Sequence, residues 1–271
     1  MKYSMKQISL KASLTAFAAV LFSSAQLGFA ITPEEIMEKN FIVNKVTDST
    51  SQTTMILTNK AGKERVRKTF GTTKLQKGTF DNMRMTRFLE PTDVRGMVSL
   101  LIEHSKDEDD IWLYLPSLKK VRRLVSSNKK DSFVGTDFSY GDVIGHKVKE
   151  WNHTILKEEE VDGFMCYVIE STPINKTISR NTGYSKRVSW IQKDTFVARK
   201  AMMYDEAGSL YKEMQFLNLE LVEPEKNKWY AREFRARNVQ TGHSTVIKVD
   251  ELKVNVGVKD SYFSTRYMES Q

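Results

Sequence analysis

The side chains able to do acid–base, nucleophilic or metal chemistry are few and scattered in this chain. There are four histidines, His104, His146, His153 and His243, and one cysteine, Cys166. No two histidines stand in the His-Glu-x-x-His spacing of a helical zinc site. A Gly-x-Ser-x-Gly turn, a phosphate loop and a dinucleotide-binding glycine run are also missing. The acidic run Asp107-Glu108-Asp109-Asp110 offers oxygen ligands, but it lacks the alternating spacing and glycine of a calcium loop. Between two strand-like segments it reads as a solvated turn. Cys166 lies in the apolar run Phe164-Met165-Cys166-Tyr167-Val168-Ile169 and reads as a buried, inert thiol. The sequence thus offers no catalytic residue, no cofactor site and no metal site, and the expectation is a protein that is not an enzyme.

Binding chemistry is better represented. Methionine recurs on strand-like segments, where β-branched residues are the usual choice, and methionine suits surfaces that must accept variable apolar shapes. Met55, Met83, Met85, Met97 and Met214, with Leu57, Leu101, Trp112, Tyr114, Trp190 and Phe216, form the candidate lining of a lipid-accepting cavity. Ordinary core packing explains any one of them as well. A second candidate set involves charge. Arg122 and Arg123 alternate across a strand that follows Pro116, so one faces inward and needs a carboxylate or an anionic ligand. Asp137 is a nearby partner, in a segment with Phe138 and Tyr140. Together these five residues are candidates for a lid, an internal ion pair or a head-group contact.

The elements that must position these residues are mostly strands. Segments rich in Val, Ile, Thr, Tyr, Phe and Trp alternate with turn signals such as Asn59-Lys60-Ala61-Gly62 and Asp162-Gly163. About ten to twelve such strands, joined by tight turns, predict a strongly curved or partly closed antiparallel sheet. The stretch 96–103 is apolar on both faces and needs cover on each. The phase of the apolar residues changes within 210–222, which predicts a bulge near Phe216. Two capping boxes mark short helices. Thr32-Pro33-Glu34-Glu35 opens one, and Ser139-Tyr140-Gly141-Asp142 opens another placed to act as a lid.

Residues 1–30 read as an export signal. Lys2, Lys6 and Lys11 precede an apolar run too short to span a bilayer, and Gly28-Phe29-Ala30 predicts cleavage after Ala30. No cysteine stands at that junction to accept a lipid. The expectation is a soluble, monomeric protein of a bacterial periplasm, with one domain over 31–271. The formal charge of +8 falls to about +5 without the signal lysines. Export and 34 interspersed acidic residues argue against a nucleic-acid partner.

Three motifs in fixed order carry a family resemblance. They are Arg87-Phe88-Leu89-Glu90-Pro91-Thr92-Asp93-Val94-Arg95-Gly96, the segment from Trp112 to Arg123, and Gly135-Thr136-Asp137-Phe138-Ser139-Tyr140. With them the chain resembles the outer-membrane lipoprotein-sorting (LolA-like) family, in its branch of larger periplasmic proteins. The resemblance implies an unclosed antiparallel β-barrel, lidded by short helices, whose hollow holds acyl chains. It further implies a lipid or lipoprotein cargo, an inner-membrane transporter of the resistance-nodulation-division type and an outer-membrane acceptor. Two rivals follow from the same residues: a lipid esterase or phospholipase using the pocket, and a non-catalytic subunit of an envelope exporter.

Overall fold

The computed structural model describes Met1 and residues 31–270. The expected export signal and the cleavage point at Ala30 lie outside the described residues. Element order is α1 (Pro33–Val43), then β1 (Asp48–Thr58), β2 (Glu64–Leu75), β3 (Asn82–Glu90), β4 (Val98–Ile102), β5 (Asp110–Leu115) and β6 (Lys120–Leu124). After α2 (Tyr140–Ile144) come β7 (Trp151–Val161), β8 (Phe164–Pro173), α3 (Lys176–Thr182), β9 (Lys186–Gln192) and β10 (Ala198–Tyr204). The chain ends in β11 (Leu210–Glu223), β12 (Lys228–Asn238), β13 (Ser244–Val254) and α4 (Thr265–Glu269).

All 13 strands join one sheet in the order β6-β5-β4-β3-β2-β1-β13-β12-β11-β10-β9-β8-β7. Neighbours are antiparallel throughout, and among the described residues β6 and β7 remain as unpaired edges. Twist accumulates from strand to strand, so a sheet this wide curls. The result is the expected mainly β, unclosed antiparallel barrel, with 13 strands rather than the ten to twelve expected. Its topology sets the position of the lid. The first and last strands pair at the centre (Met55 opposite Ile247), which leaves the β6–β7 connection to travel from one edge of the sheet to the other. That connection is residues 125–150, and it crosses the inner face.

Both capping boxes form. Thr32 accepts from Glu35 N at the start of α1, and Ser139 accepts from Asp142 N at the start of α2. The expected bulge near Phe216 is displaced. Phe216 stays in register opposite Phe234, the register shift falls between Leu221 and Glu223, and Asn218 takes a left-handed backbone with φ +54°.

The two faces of the sheet have separate cores. On the inner face, Met55, Leu57, Phe88, Leu101 and Ile111 pack around Phe133, Tyr140 and Ile144. Beside them Ala201, Met203, Met214 and Ala236 pack around Phe138, Trp151 and Tyr184. Helix α1 covers the rest, with Ile36 and Met37 on Ile169 and Ile191. On the outer face, Met85, Val98 and Leu100 pack under Val258, Phe263 and Met268 from the C-terminal segment. Strand β4 is therefore covered on both sides, as its sequence requires. Among the described residues no helix is long and apolar enough to cross a membrane.

Candidate functional site

The site is built where the lid, α1 and the strand ends meet. A cavity of about 510 Å³ opens between α1 and the segment after α2, floored by Phe41, Ile42, Phe80, Ile144 and Val148. Its size falls within the roughly 300–1,000 Å³ typical of small-molecule pockets. Lys39, Lys106, Lys147 and Lys149 stand on the rim with Glu35, Glu38, Asp81, Glu103, His104 and Asp109. Several rim carboxylates are already engaged. Glu103 is paired with the buried Lys45, Asp109 with Lys129 at 2.5 Å and Lys147 at 3.6 Å, and Glu35 with the α1 cap. Asp109 belongs to the acidic run expected to be a solvated turn, yet it is buried, because two lysines neutralise it.

The lid, residues 131–144, lies over the inner face beside this cavity. Its backbone is held by cations that rise from the sheet. Arg67 on β2 donates to Val134 O, and Arg84 on β3 donates to Val143 O at 2.5 Å. Val134 is a β-branched residue at φ +48°, a conformation that costs about 1–3 kcal/mol unless the surroundings enforce it. The bond from Arg67 to the carbonyl of that same residue is part of the enforcement.

Beneath α2 lies an ionic cluster. Lys212 of β11 reaches Asp142 at 2.6 Å and the Tyr184 hydroxyl at 2.8 Å, while that hydroxyl donates to Asp142 at 3.0 Å. The Asp142 and Lys212 side chains are 1% and 2% exposed, so the pair is dry. Despite its burial, Asp142 is held far below the usual carboxylate range, chiefly by Lys212. Burial lowers His146 to about 4 and raises Tyr184 above the ordinary phenol range, so both are neutral at pH 7.

The cavity candidates read from the sequence divide between the faces. Met55, Leu57, Leu101 and Met214 are buried on the inner face, with Met97 and Phe216 packed against them. Met83, Met85, Trp112 and Tyr114 lie on the outer face under the C-terminal segment, and Trp190 lies in an outer cluster with Cys166, Val168 and Val188. None of the eleven lines the open cavity. Phe138 and Tyr140 are buried in the lid. Asp137 does not meet Arg122 or Arg123; it accepts from Thr245 Oγ1 and pairs with His243 Nδ1, both at 2.7 Å. Arg122 and Arg123 are exposed on edge strand β6, where Arg123 pairs with Asp110 at 2.5 Å. The residues that position the site, Arg67, Arg84, Asp142, Tyr184 and Lys212, carry no local sequence signal except Asp142, whose place in the capping box is readable.

Two histidine arrangements bear on catalysis. His153 accepts or donates at 2.8 Å to Ser171 Oγ and meets Val148 O at 3.0 Å, but Ser171 is wholly buried and no substrate reaches it. His243 is oriented by Asp137, yet the hydroxyl nearby, Thr245, binds the carboxylate rather than the imidazole. Neither makes an accessible nucleophile–base pair. Among the described residues no group of three His, Cys, Asp or Glu side chains is placed to hold a metal ion.

Comparison with known proteins agrees with this architecture. A family model described as "uncharacterized protein" matches residues 81–270. No curated protein matches. A domain from Vibrio parahaemolyticus, provisionally assigned to outer-membrane lipoprotein sorting, is 31% identical, with 88% of this chain and 98% of that one covered at a TM-score of 0.80. A DUF1329 family protein from Desulfovibrio piger is 30% identical over 87% and 97%, with a TM-score of 0.79. A LolA superfamily protein from Nitrosomonas europaea shares the fold at 19% identity, covering 88% and 100%, with a TM-score of 0.68.

Proposed function

This chain belongs to the outer-membrane lipoprotein-sorting (LolA-like) family, and on that premise we propose that it is a non-catalytic periplasmic carrier for the acyl chain of a lipid or lipoprotein. The observation that carries this reading is the apolar-floored cavity of about 510 Å³ between α1 and the lid. Burying an acyl chain is worth about 0.8 kcal/mol per methylene. Eight to ten methylenes thus supply roughly 6–8 kcal/mol before ordering costs, which is the scale of micromolar binding. A longer chain needs more apolar surface, and the inner face beneath Phe133, Phe138 and Tyr140 supplies it once the lid swings aside. Cargo then stands in for the lid's own aromatic side chains. Release follows when a partner binds the chain more tightly than the inner face does. The donor and acceptor suggested by the family resemblance, a resistance-nodulation-division transporter and an outer-membrane site, fit such a shuttle.

Native mass spectrometry of gently purified protein tests the proposal. Lipid at near one-to-one stoichiometry is the expected result, and Ile42→Asp in the cavity floor should abolish it while leaving the fold intact by circular dichroism. Protein that stays empty when offered lipid from several sources would overturn the carrier reading. For the esterase alternative, hydrolysis of an ester probe that disappears in Ser171→Ala or His243→Gln would restore an enzyme.

A further inference from the structure

Behind the cavity wall lies a group of polar atoms that the fold leaves unpartnered. Gly145, Lys147 and Val148 line the cavity, and the same stretch of chain carries His146 and Trp151 on its far side. Trp151 Nε1, Arg187 Nε and His146 Nε2 are all shut off from solvent without a hydrogen-bond partner. They sit together. The Arg187 guanidinium lies 5.0 Å from the centre of the Trp151 ring, and the His146 ring meets the Trp151 ring edge-on at 5.6 Å. His146 Nε2 stands 3.6 Å from Asp142 Oδ1, beyond a hydrogen bond.

The charges in this group do not balance. Asp142 is engaged by Lys212 and Tyr184, and His146, lowered to about 4, is neutral at pH 7. Among the described residues no carboxylate lies within ion-pair distance of Arg187, and the carboxylate that acts on it from further off, Asp142, is already bonded to Lys212. Its cross-strand neighbours on β8 and β10 are Ser171 and Met203, and His153, on which its charge also acts, is satisfied by Ser171 and Val148. Ordered water would satisfy the neutral indole donor but would leave the guanidinium charge without a counter-ion. A planar guanidinium with free donors is suited to a carboxylate or phosphate, which it can meet in a bidentate manner.

We infer that Arg187, Trp151 and His146 form an oxyanion subsite behind the cavity wall formed by Gly145, Lys147 and Val148, reached when that segment moves, and that it selects cargo with a carboxylate or phosphate group beside its acyl chain. The inference rests on the carrier reading for the tail and on the three orphaned atoms for the anion. It narrows the cargo from any lipid to an anionic one. Arg187 holds the charge, Trp151 offers its indole N–H and stacks beneath the guanidinium, and His146 closes the third side.

The test titrates the full chain, stripped of lipid, with three probes: sodium palmitate, hexadecanol and inorganic phosphate. The chain has four tryptophans, so ¹⁵N-indole spectra are simple, and Trp151→Phe assigns the signal. Palmitate should move the Trp151 indole resonance and bind about tenfold or more tightly than hexadecanol, the scale of a charge-assisted hydrogen bond. Arg187→Gln should bring palmitate down to the hexadecanol level and leave hexadecanol unchanged, while Arg187→Lys retains part of the preference. If phosphate moves the resonance and neither sixteen-carbon probe binds, the subsite stands as a site for a free anion and the carrier reading falls. Equal binding of palmitate and hexadecanol with an unmoved indole overturns the subsite and leaves the carrier. Silence with all three probes overturns both. Should Arg187→Gln fail to fold, the palmitate-to-hexadecanol ratio and the indole shift of the unaltered chain decide.

Discussion

The sheet is covered on each face by a short segment, and the two coverings are attached in different ways. On the inner face the lid, 131–144, is fixed by directional contacts: Arg67 and Arg84 on its carbonyls, and Lys212 with Tyr184 on Asp142. It also holds Val134 in a left-handed conformation. On the outer face the C-terminal segment is fixed mainly by packing, with Val258, Phe263 and Met268 buried on Met85, Val98 and Leu100 and Tyr262 stacked on Tyr267 at 4.8 Å. Its polar anchor is Lys74, which reaches Val258 O at 2.7 Å and Asp260 at 2.6 Å. Packing is graded and tolerates small shifts, whereas a set of buried ionic bonds is made or broken together. On the carrier reading proposed above, the lid is the covering that moves: an acyl chain would replace its aromatic side chains on the inner face, while nothing offered by cargo would replace Met268.

The largest effect should come from breaking the lid's ionic anchor. Lys212→Met leaves Asp142 charged, buried and unpaired, which costs about 3–5 kcal/mol. Urea unfolding should show the loss, and Asp142→Asn added to it should recover most, because the orphaned charge is gone. A Lys212→Met protein as stable as the parent would mean that the pair is not what fixes the lid.

Next comes pH. His146 has its pKa lowered to about 4 in the folded chain, against about 6.5 when unfolded. Between those values the unfolded chain binds the extra proton, so stability rises with pH across the window. Acidifying from pH 6.5 to 4 should remove about 3 kcal/mol. Asp142 acts lower: its carboxylate is held below the ordinary range, so its contribution is complete above about pH 4 and is lost as pH falls further. His146→Phe should reduce the slope of the stability profile from pH 6.5 to 4.5, leaving the share of His153, which burial also lowers, and the steeper acid limb. An unchanged profile would place the acid sensitivity elsewhere.

The outer covering supplies the counter-experiment. Met268→Ala removes a fully buried side chain and should cost about 2–3 kcal/mol, at the lower end for such truncations because a short terminal helix can settle into the space. Hydrogen exchange separates the two coverings. Lys212→Met should raise exchange locally over 131–144, whereas Met268→Ala should raise it across β3–β5 together with global unfolding. If both variants open the same amides, the distinction between a hinged lid and a packed covering is lost.

How much of this was readable in advance depended on the range of each interaction. The capping boxes at Thr32 and Ser139 are contained within four residues, and both formed as written. Alternation marked the strands, and the double-sided apolar stretch in β4 announced two covers. Strand phase cannot say which cover lies on which side. That is why Met83, Met85, Trp112 and Tyr114 turned away from the lid, toward a C-terminal segment more than 140 residues along the chain. The partner of Asp137 failed for the same reason. Arg122 and Arg123 are near in sequence, but β13 brings His243 and Thr245 across the sheet instead. The bulge near Phe216 was a local inference from phase, and a left-handed Asn218 resolved the same conflict another way. Arg67 and Arg84 looked like ordinary strand cations, because their acceptors are backbone carbonyls some sixty residues away.

The smallest effect on stability should be the most informative about carriage. Arg67→Met removes the donor to Val134 O, a charged-to-neutral bond worth about 1.5–3 kcal/mol when made. Part of that returns, because Val134 is then free to leave its left-handed conformation, which stores about 1–3 kcal/mol. The net cost to global stability should be about 1 kcal/mol or less, since strain relief offsets the lost bond. The lid equilibrium moves further, because the lost bond held only the closed lid. Limited proteolysis within 131–144 and the rate of palmitate uptake should both rise severalfold, with Tm nearly unchanged. If Tm falls as far as in Lys212→Met, Arg67 supports the whole inner core; if uptake is unaltered, cargo enters past α1 without moving the lid.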